Sequence, residues 1–217
     1  MKLAFVTECD YFAITDADVY DVILFPFYIG KPVDYSAEIA GKTHFFKTLT
    51  NLSKSLKTTI IAGVDTNSYG KIRHSAAVCA NGKLLAVADM NYSKKDDGYT
   101  SGVEFALCRD GKHKIGVLVG NDIYSSESAK TLVLSGAEIL VHIADPIISS
   151  IESVFARARA YECGVPVAVC AHKQAMLAGV DGKIAFSSPS KISAAEIKPV
   201  YNYRALTVRR RGFMPEL

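Results

Sequence analysis

Lys114-Ile115-Gly116-Val117-Leu118-Val119-Gly120-Asn121-Asp122-Ile123, then Ser126-Glu127-Ser128-Ala129-Lys130-Thr131-Leu132-Val133-Leu134-Ser135-Gly136, then Ile139-Leu140-Val141-His142-Ile143, form three consecutive segments of distinct pattern. The outer segments are continuous apolar runs, the pattern of strands covered on both faces. The middle segment reads as a helix capped by serines and ended by glycine. Strand, helix and strand at this spacing form one layered α/β unit.

Working outward, similar runs occur at 3–6, 21–25, 58–64, 75–80, 84–88, 165–170 and 205–209. Phe45, Phe46, Leu49, Leu52 and Leu56 recur at helical spacing, and 149–163 reads as a helix with Ser149 or Ser150 as N-cap and Gly164 then Pro166 closing it. Asn81-Gly82 between two β-branched runs is a hairpin signal, because a tight primed turn needs positive φ at both central residues. Asp181-Gly182 repeats the device. No linker, repeat or low-complexity stretch interrupts the 217 residues, so one domain over 1–217 is expected.

Composition removes several classes. Apolar residues make up 49% and charged residues 22%, which excludes intrinsic disorder. A net charge of +3 is too mild to call for nucleic acid or an anionic membrane. The N-terminal apolar run is cut off by Glu8 and Asp10, and no run approaches the ~20 apolar residues of a membrane helix. The five cysteines are odd in number and widely spread, as in a reduced, cytoplasmic protein, and the five histidines form no metal-ligand spacing. No cofactor is expected.

Four segments in order resemble the carbon–nitrogen hydrolase (nitrilase) superfamily. Asp21-Val22-Ile23-Leu24-Phe25-Pro26 is similar to the family's strand ending in Phe-Pro-Glu. Arg73-His74-Ser75-Ala76-Ala77-Val78, with the Asn81-Gly82 hairpin, is similar to the stretch leading to the family's Lys. The 114–123 block, with Glu127 and Gly136-Ala137-Glu138, is similar to the segment carrying the family's Cys. Ala156-Arg157-Ala158-Arg159-Ala160-Tyr161-Glu162 is similar to its Arg-Ala-Arg-Ala-x-Glu helix. The resemblance implies a four-layer αββα sandwich, with a shortened N-terminal region because residues 11–20 replace a long helix. It also implies hydrolysis of nitriles, amides or carbamoyl groups by a Glu, a Lys and a Cys.

At those three positions stand Phe27, Met90 and Gly120. No acid follows Pro26 before Asp34 and no cysteine lies between Cys108 and Cys163, so a shifted alignment rescues neither. Lys94 and Lys95 could stand in only for the Lys. Phe27 and Met90 replace charges with apolar burial of ~1.5–3 kcal/mol each, and glycine keeps a sharp strand-to-helix bend without a side chain. The expectation is a pseudoenzyme: a scaffold, a partner of another protein, or a binder of a small molecule. The rival is an active hydrolase with relocated residues, for which Cys170 and His172, two apart, offer a pair.

Asn121, Asp122 and Glu127 read either as capping groups of the following helix or as a ligand-binding remnant. Arg157, Arg159 and Glu162 read as packing, salt-bridge and dimer-face residues, and Arg209-Arg210-Arg211 as a solvated tail or a reach to a neighbouring subunit. The resemblance implies a homo-oligomer.

Overall fold

Most of the continuous apolar runs form strands that are buried on both sides, whereas Leu84 and Leu85 of the run at 84–88 are exposed. A computed structural model describes residues 1–8, 10, 11, 14, 20–145 and 147–197. The expected strand at 205–209, the basic run at 209–211, Cys9 and most of the 11–20 segment lie outside the described residues.

One sheet holds β1 (Lys2–Val6), β2 (Val22–Phe27), β3 (Val33–Asp34), β4 (Thr59–Ser68), β5 (Lys71–Ala80) and β6 (Lys83–Asp89). It is completed by the late strand β13 (Ile192–Glu196), in the order β13-β1-β2-β4-β5-β6 with β3 beside β4. The other holds β7 (Leu107–Arg109), β8 (Lys114–Val119), β9 (Ile139–Ile143), β10 (Val167–Ala171), β11 (Gln174–Ala178) and β12 (Ile184–Ser188), ordered β12-β11-β10-β9-β8-β7. β8, β9 and β10 run parallel. They are joined by α3 (Ser126–Leu134) and α4 (Ser150–Cys163), the crossover units read from the sequence. Two helices precede them, α1 (Tyr35–Ile39) and α2 (Phe45–Leu56).

Three apolar layers follow from strand alternation. Leu24, Ile61, Val78 and Ala88 of the first sheet meet Val117, Val141, Ala168 and Leu177 of the second, so the sheets pack face to face. On the outer faces, Leu49, Leu52 and Leu56 of α2 cover the first sheet, and Ala129, Leu132, Ala156 and Ala160 of α3 and α4 cover the second. The result is a four-layer αββα sandwich.

Local signals act as their chemistry requires. Asn81 (φ 52°) and Gly82 (φ 76°) make the primed turn between β5 and β6. Ser149 and Glu152 form a capping box at the start of α4, and Gly164 ends it in the left-handed conformation. β3, β7, β11 and β13 have no counterpart among the sequence runs. Two of them are only two or three residues long, and β13 is an edge strand of small, half-exposed residues paired with β1. Among the described residues no helix is long and apolar enough to cross a membrane, and no group of three or more His, Cys, Asp or Glu could hold a metal ion.

Candidate functional site

Several strand ends converge at one end of the inter-sheet layer. In β2, Leu24 points between the sheets, and a register shift against β4 between Phe25 and Phe27 turns Phe27 to the same side. Pro26, which has no N–H to give a ladder, sits at that irregularity. Gly63 of β4 makes room, since a Cβ there would lie 2.8 Å from the Phe27 Cα and from Ile143 Cγ2. His74 lies in register with Ala76 and Val78 of β5, Met90 follows β6, and Gly120 follows β8.

These side chains fill one another's space. The Phe27 ring stacks on His74 with centroids 3.5 Å apart and planes 15° apart. Gly120 has φ +49°, and a Cβ on it would lie 2.8 Å from Met90 Sδ and 3.0 Å from His74 Cδ2. A side chain there would meet both strain and crowding, so glycine is required on two counts. The Asn121 N–H donates to Met90 Sδ at 3.3 Å. The thioether thus occupies the space beside Gly120 and the backbone donor that follows it.

Beyond this plug a cavity of about 440 Å³ remains, lined among others by His74, Tyr99, Asn121, Asp145, Ser149 and Glu152. His74 is nearly buried, with its side chain 5% exposed. Its Nδ1–H donates to Asp65 Oδ1 at 2.7 Å, and Asp65 is its direct cross-strand partner in the β4–β5 register. The Tyr99 hydroxyl donates to the other Asp65 oxygen at 3.1 Å. Burial, then the Asp65 charge, pushes the Tyr99 phenol up, so it stays a donor. His74 Nε2 makes no hydrogen bond and stands 3.6 Å from Asp145 Oδ2. Asp97 accepts the Lys94 and Tyr99 N–H groups at 2.6 and 3.0 Å, which folds the loop that presents Tyr99. Burial raises the Glu152 carboxyl, while its bond from the Ser149 N–H at 2.8 Å draws it down.

The residues singled out from sequence separate into two groups. Phe27, Met90 and Gly120 come together around His74, and Asn121 and Lys94 line the cavity. Asp122 and Glu127 do not line it. Asp122 is buried and accepts the N–H groups of Asn91 and Tyr92 at 2.9 and 3.0 Å, tying β6's exit to β8's exit. Burial pushes its carboxyl up to about 6 despite those bonds. Glu127 accepts the Tyr92 hydroxyl at 3.0 Å. Cys170 is fully buried between the sheets, with Sγ 3.7 Å from the Leu24 carbonyl oxygen. His172 Nε2–H donates to the Phe27 carbonyl at 2.8 Å. Neither Cys170 nor His172 borders the cavity.

The residues beneath the site are structural. Arg159 donates to the Ile123 and Tyr124 carbonyls at 3.1 and 2.8 Å and pairs with Glu162 at 2.7 Å, closing the turn Gly120–Tyr124. His142, fully buried, donates from Nε2 to the Gly120 carbonyl at 2.9 Å. Burial lowers its pKa to about 4, which keeps the ring neutral.

The sequence reading missed His74, Asp65, Tyr99, Asp145 and Glu152 as site residues. For His74 the signal was present: it shares strand parity with Ala76 and Val78 and therefore faces the sheets' interior. Tyr99 and Asp145 lie outside the strands and helices, where periodicity carries no signal.

A family model described as carbon–nitrogen hydrolase matches residues 21–199. No curated protein matches the chain by sequence. Similar solved structures include Saccharomyces cerevisiae Nit3, a member of branch 10 of the nitrilase superfamily, at TM-score 0.78 and 17% identity over 98% of this chain and 97% of that one. An amidase from Nesterenkonia sp. follows at TM-score 0.71 and 14% identity, covering 96% and 95%. A carbon–nitrogen hydrolase from Helicobacter pylori has TM-score 0.64 and 16% identity, covering 81% and 76%. At these identities the likeness is one of fold.

Proposed function

Because the chain belongs to the carbon–nitrogen hydrolase family, whose members hydrolyse carbon–nitrogen bonds, we propose that it is a member that binds a small molecule at the family's reaction site without cleaving it. Cleavage in the family needs three groups: a thiolate to attack the carbon, a carboxylate to take and return the proton, and an ammonium with backbone N–H groups to hold the developing oxyanion. Phe27, Met90 and Gly120 supply none of them. Removing a nucleophile alone typically costs on the order of 10⁶ in rate.

One observation carries the reading. Met90 Sδ takes the Asn121 N–H and fills the volume where a side chain at position 120 would stand. Neither an attacking atom nor a free oxyanion donor remains beside the strand end, yet a cavity of about 440 Å³ with polar walls stays open next to it. An open cavity with convergent polar groups supports binding over a bare scaffold.

The test is turnover. Purified protein incubated with amides, carbamoyl amino acids and nitriles, alongside Cys170→Ala, is expected to release product no faster than a buffer blank. Turnover that disappears in the Cys170→Ala variant would overturn the reading and restore the buried cysteine as a nucleophile. We propose further that the protein is a homo-oligomer. The exposed Leu134, Ile151 and Val154 on the outer helices offer apolar contact for a second copy, to be read by light scattering.

A further inference from the structure

The cavity carries a specific electrostatic pattern. Its backbone and helix-end anion-binding groups are already taken. The start of α4, the positive end of a 14-residue helix, is occupied by the Glu152 carboxylate and the Ser149 hydroxyl. The Asn121 N–H is committed to Met90 Sδ. Lys94 is exposed and makes no ion pair with Asp97 or Asp145.

The acceptors, by contrast, are unfilled. With Nδ1–H given to Asp65, His74 Nε2 faces the cavity without a hydrogen-bond partner and is an acceptor in that tautomer. Asp145 Oδ2 faces it at 3.6 Å, too long for a hydrogen bond. Asp145 is 46% exposed in its side chain and therefore reachable from solvent. Two acceptors, one of them buried, converge on a single point and lack a donor there. An ammonium group has three N–H donors and a positive charge, and it satisfies both acceptors at once. Tyr99 and Tyr124 add aromatic surface to the same walls, which suits a cation and the alkyl chain behind it.

We propose that the cavity binds a small organic primary amine in its ammonium form, with the nitrogen on the cavity side of the His74 Nε2–Asp145 Oδ2 pair, donating to both. This rests on the binding reading above and names the ligand class. Discrimination comes from the polar head. A hydroxyl offers one donor and no charge, and a carboxylate would face Asp145, Asp97 and Glu152 with like charge, against Lys94 as the one lysine or arginine among the described residues of the wall.

Isothermal titration calorimetry with n-butylamine, n-butanol and butyrate tests it on the full chain. Butylammonium is expected to bind about tenfold or more tighter than butanol, the value of a charge-assisted hydrogen bond, and butyrate least of all. Asp145→Asn keeps the shape and is expected to weaken butylammonium by about tenfold or more while leaving butanol unchanged. Glu127→Gln, outside the cavity, is the control that leaves all three unchanged. Equal or tighter binding of butanol or butyrate, or an Asp145→Asn variant that binds butylammonium as the parent does, overturns the ammonium assignment while the cavity remains a binding site. Failure of all three probes to bind overturns the binding reading with it.

Discussion

The two sides of the Gly120 region are built on opposite principles. On the inner side Phe27, His74 and Met90 are packed so closely that a Cβ at position 120 would lie 2.8 Å from Met90 Sδ and 3.0 Å from His74 Cδ2. On the outer side His74, Tyr99, Asp145 and Glu152 line an open cavity whose hydrogen-bonding capacity is partly unused. His74 belongs to both, stacked on Phe27 by its ring and facing the cavity with Nε2. Under the proposed function the packed inner side contributes to stability and the open outer side to binding.

The comparison can be broken by substitution, starting where the effect is largest. Phe27→Ala removes a ring that is 5% exposed and stacked on His74, and is expected to cost about 3–5 kcal/mol in denaturant unfolding. A loss below about 1 kcal/mol would show that the inner side is not a packed plug. Gly120→Ala adds the single methyl that meets Met90 Sδ and His74 Cδ2 at positive φ. Strain of about 1–2 kcal/mol and overpacking of about 1–3 kcal/mol give an expected destabilisation on the order of 2–5 kcal/mol.

The floor beneath Gly120 gives a pH signature. His142 has its folded pKa lowered to about 4, below the value of about 6.5 for a free imidazole. The unfolded chain therefore takes the proton first as pH falls. Its contribution is complete above about pH 6.5 and is lost on descent toward about pH 4, by roughly 3 kcal/mol. Asp122 acts in the opposite sense, because burial raises its carboxyl to about 6 and the folded state takes that proton first. Asp122→Asn removes that opposing carboxyl. Unfolding free energy in urea is then expected to be roughly 3 kcal/mol lower at about pH 4 than at about pH 7, a steeper loss than in the parent. At the mouth the effect is smallest. Asp145→Asn is expected to change stability by no more than about 0.5 kcal/mol, since the side chain is half exposed and makes no short bond.

Much of the fold was legible because strands buried on both faces leave continuous apolar runs, and helices between them leave caps. β8, α3 and β9 needed nothing else. On the inner side Phe27, Met90 and Gly120 were singled out by the family resemblance, and they stand at or just past strand ends. The outer side was not legible. Asp65 and His74 meet only because β4 and β5 pair in that register, and Tyr99 reaches them only because Asp97 folds its loop. Cys170 and His172 show the limit of parity arguments. Two residues apart, they would share a face in a continuing strand, but β10 ends at Ala171 and Lys173 adopts φ 59°, so His172 turns to the Phe27 carbonyl. Asp122 was read as a cap of the following helix or a ligand contact; its carboxylate accepts the Val119 N–H at the start of the Gly120–Tyr124 turn and also ties two strand exits together, a role only tertiary pairing reveals.

Intact-protein mass spectrometry after incubation with reactive nitriles, amides and carbamoyl compounds tests the absence of a covalent route most directly. With no attacking atom at position 120 and Met90 over the backbone donor, the protein mass is expected to stay at that of the untreated chain. A mass increment that matches an acyl or carbamoyl adduct, and that decays as product is released, would contradict the account.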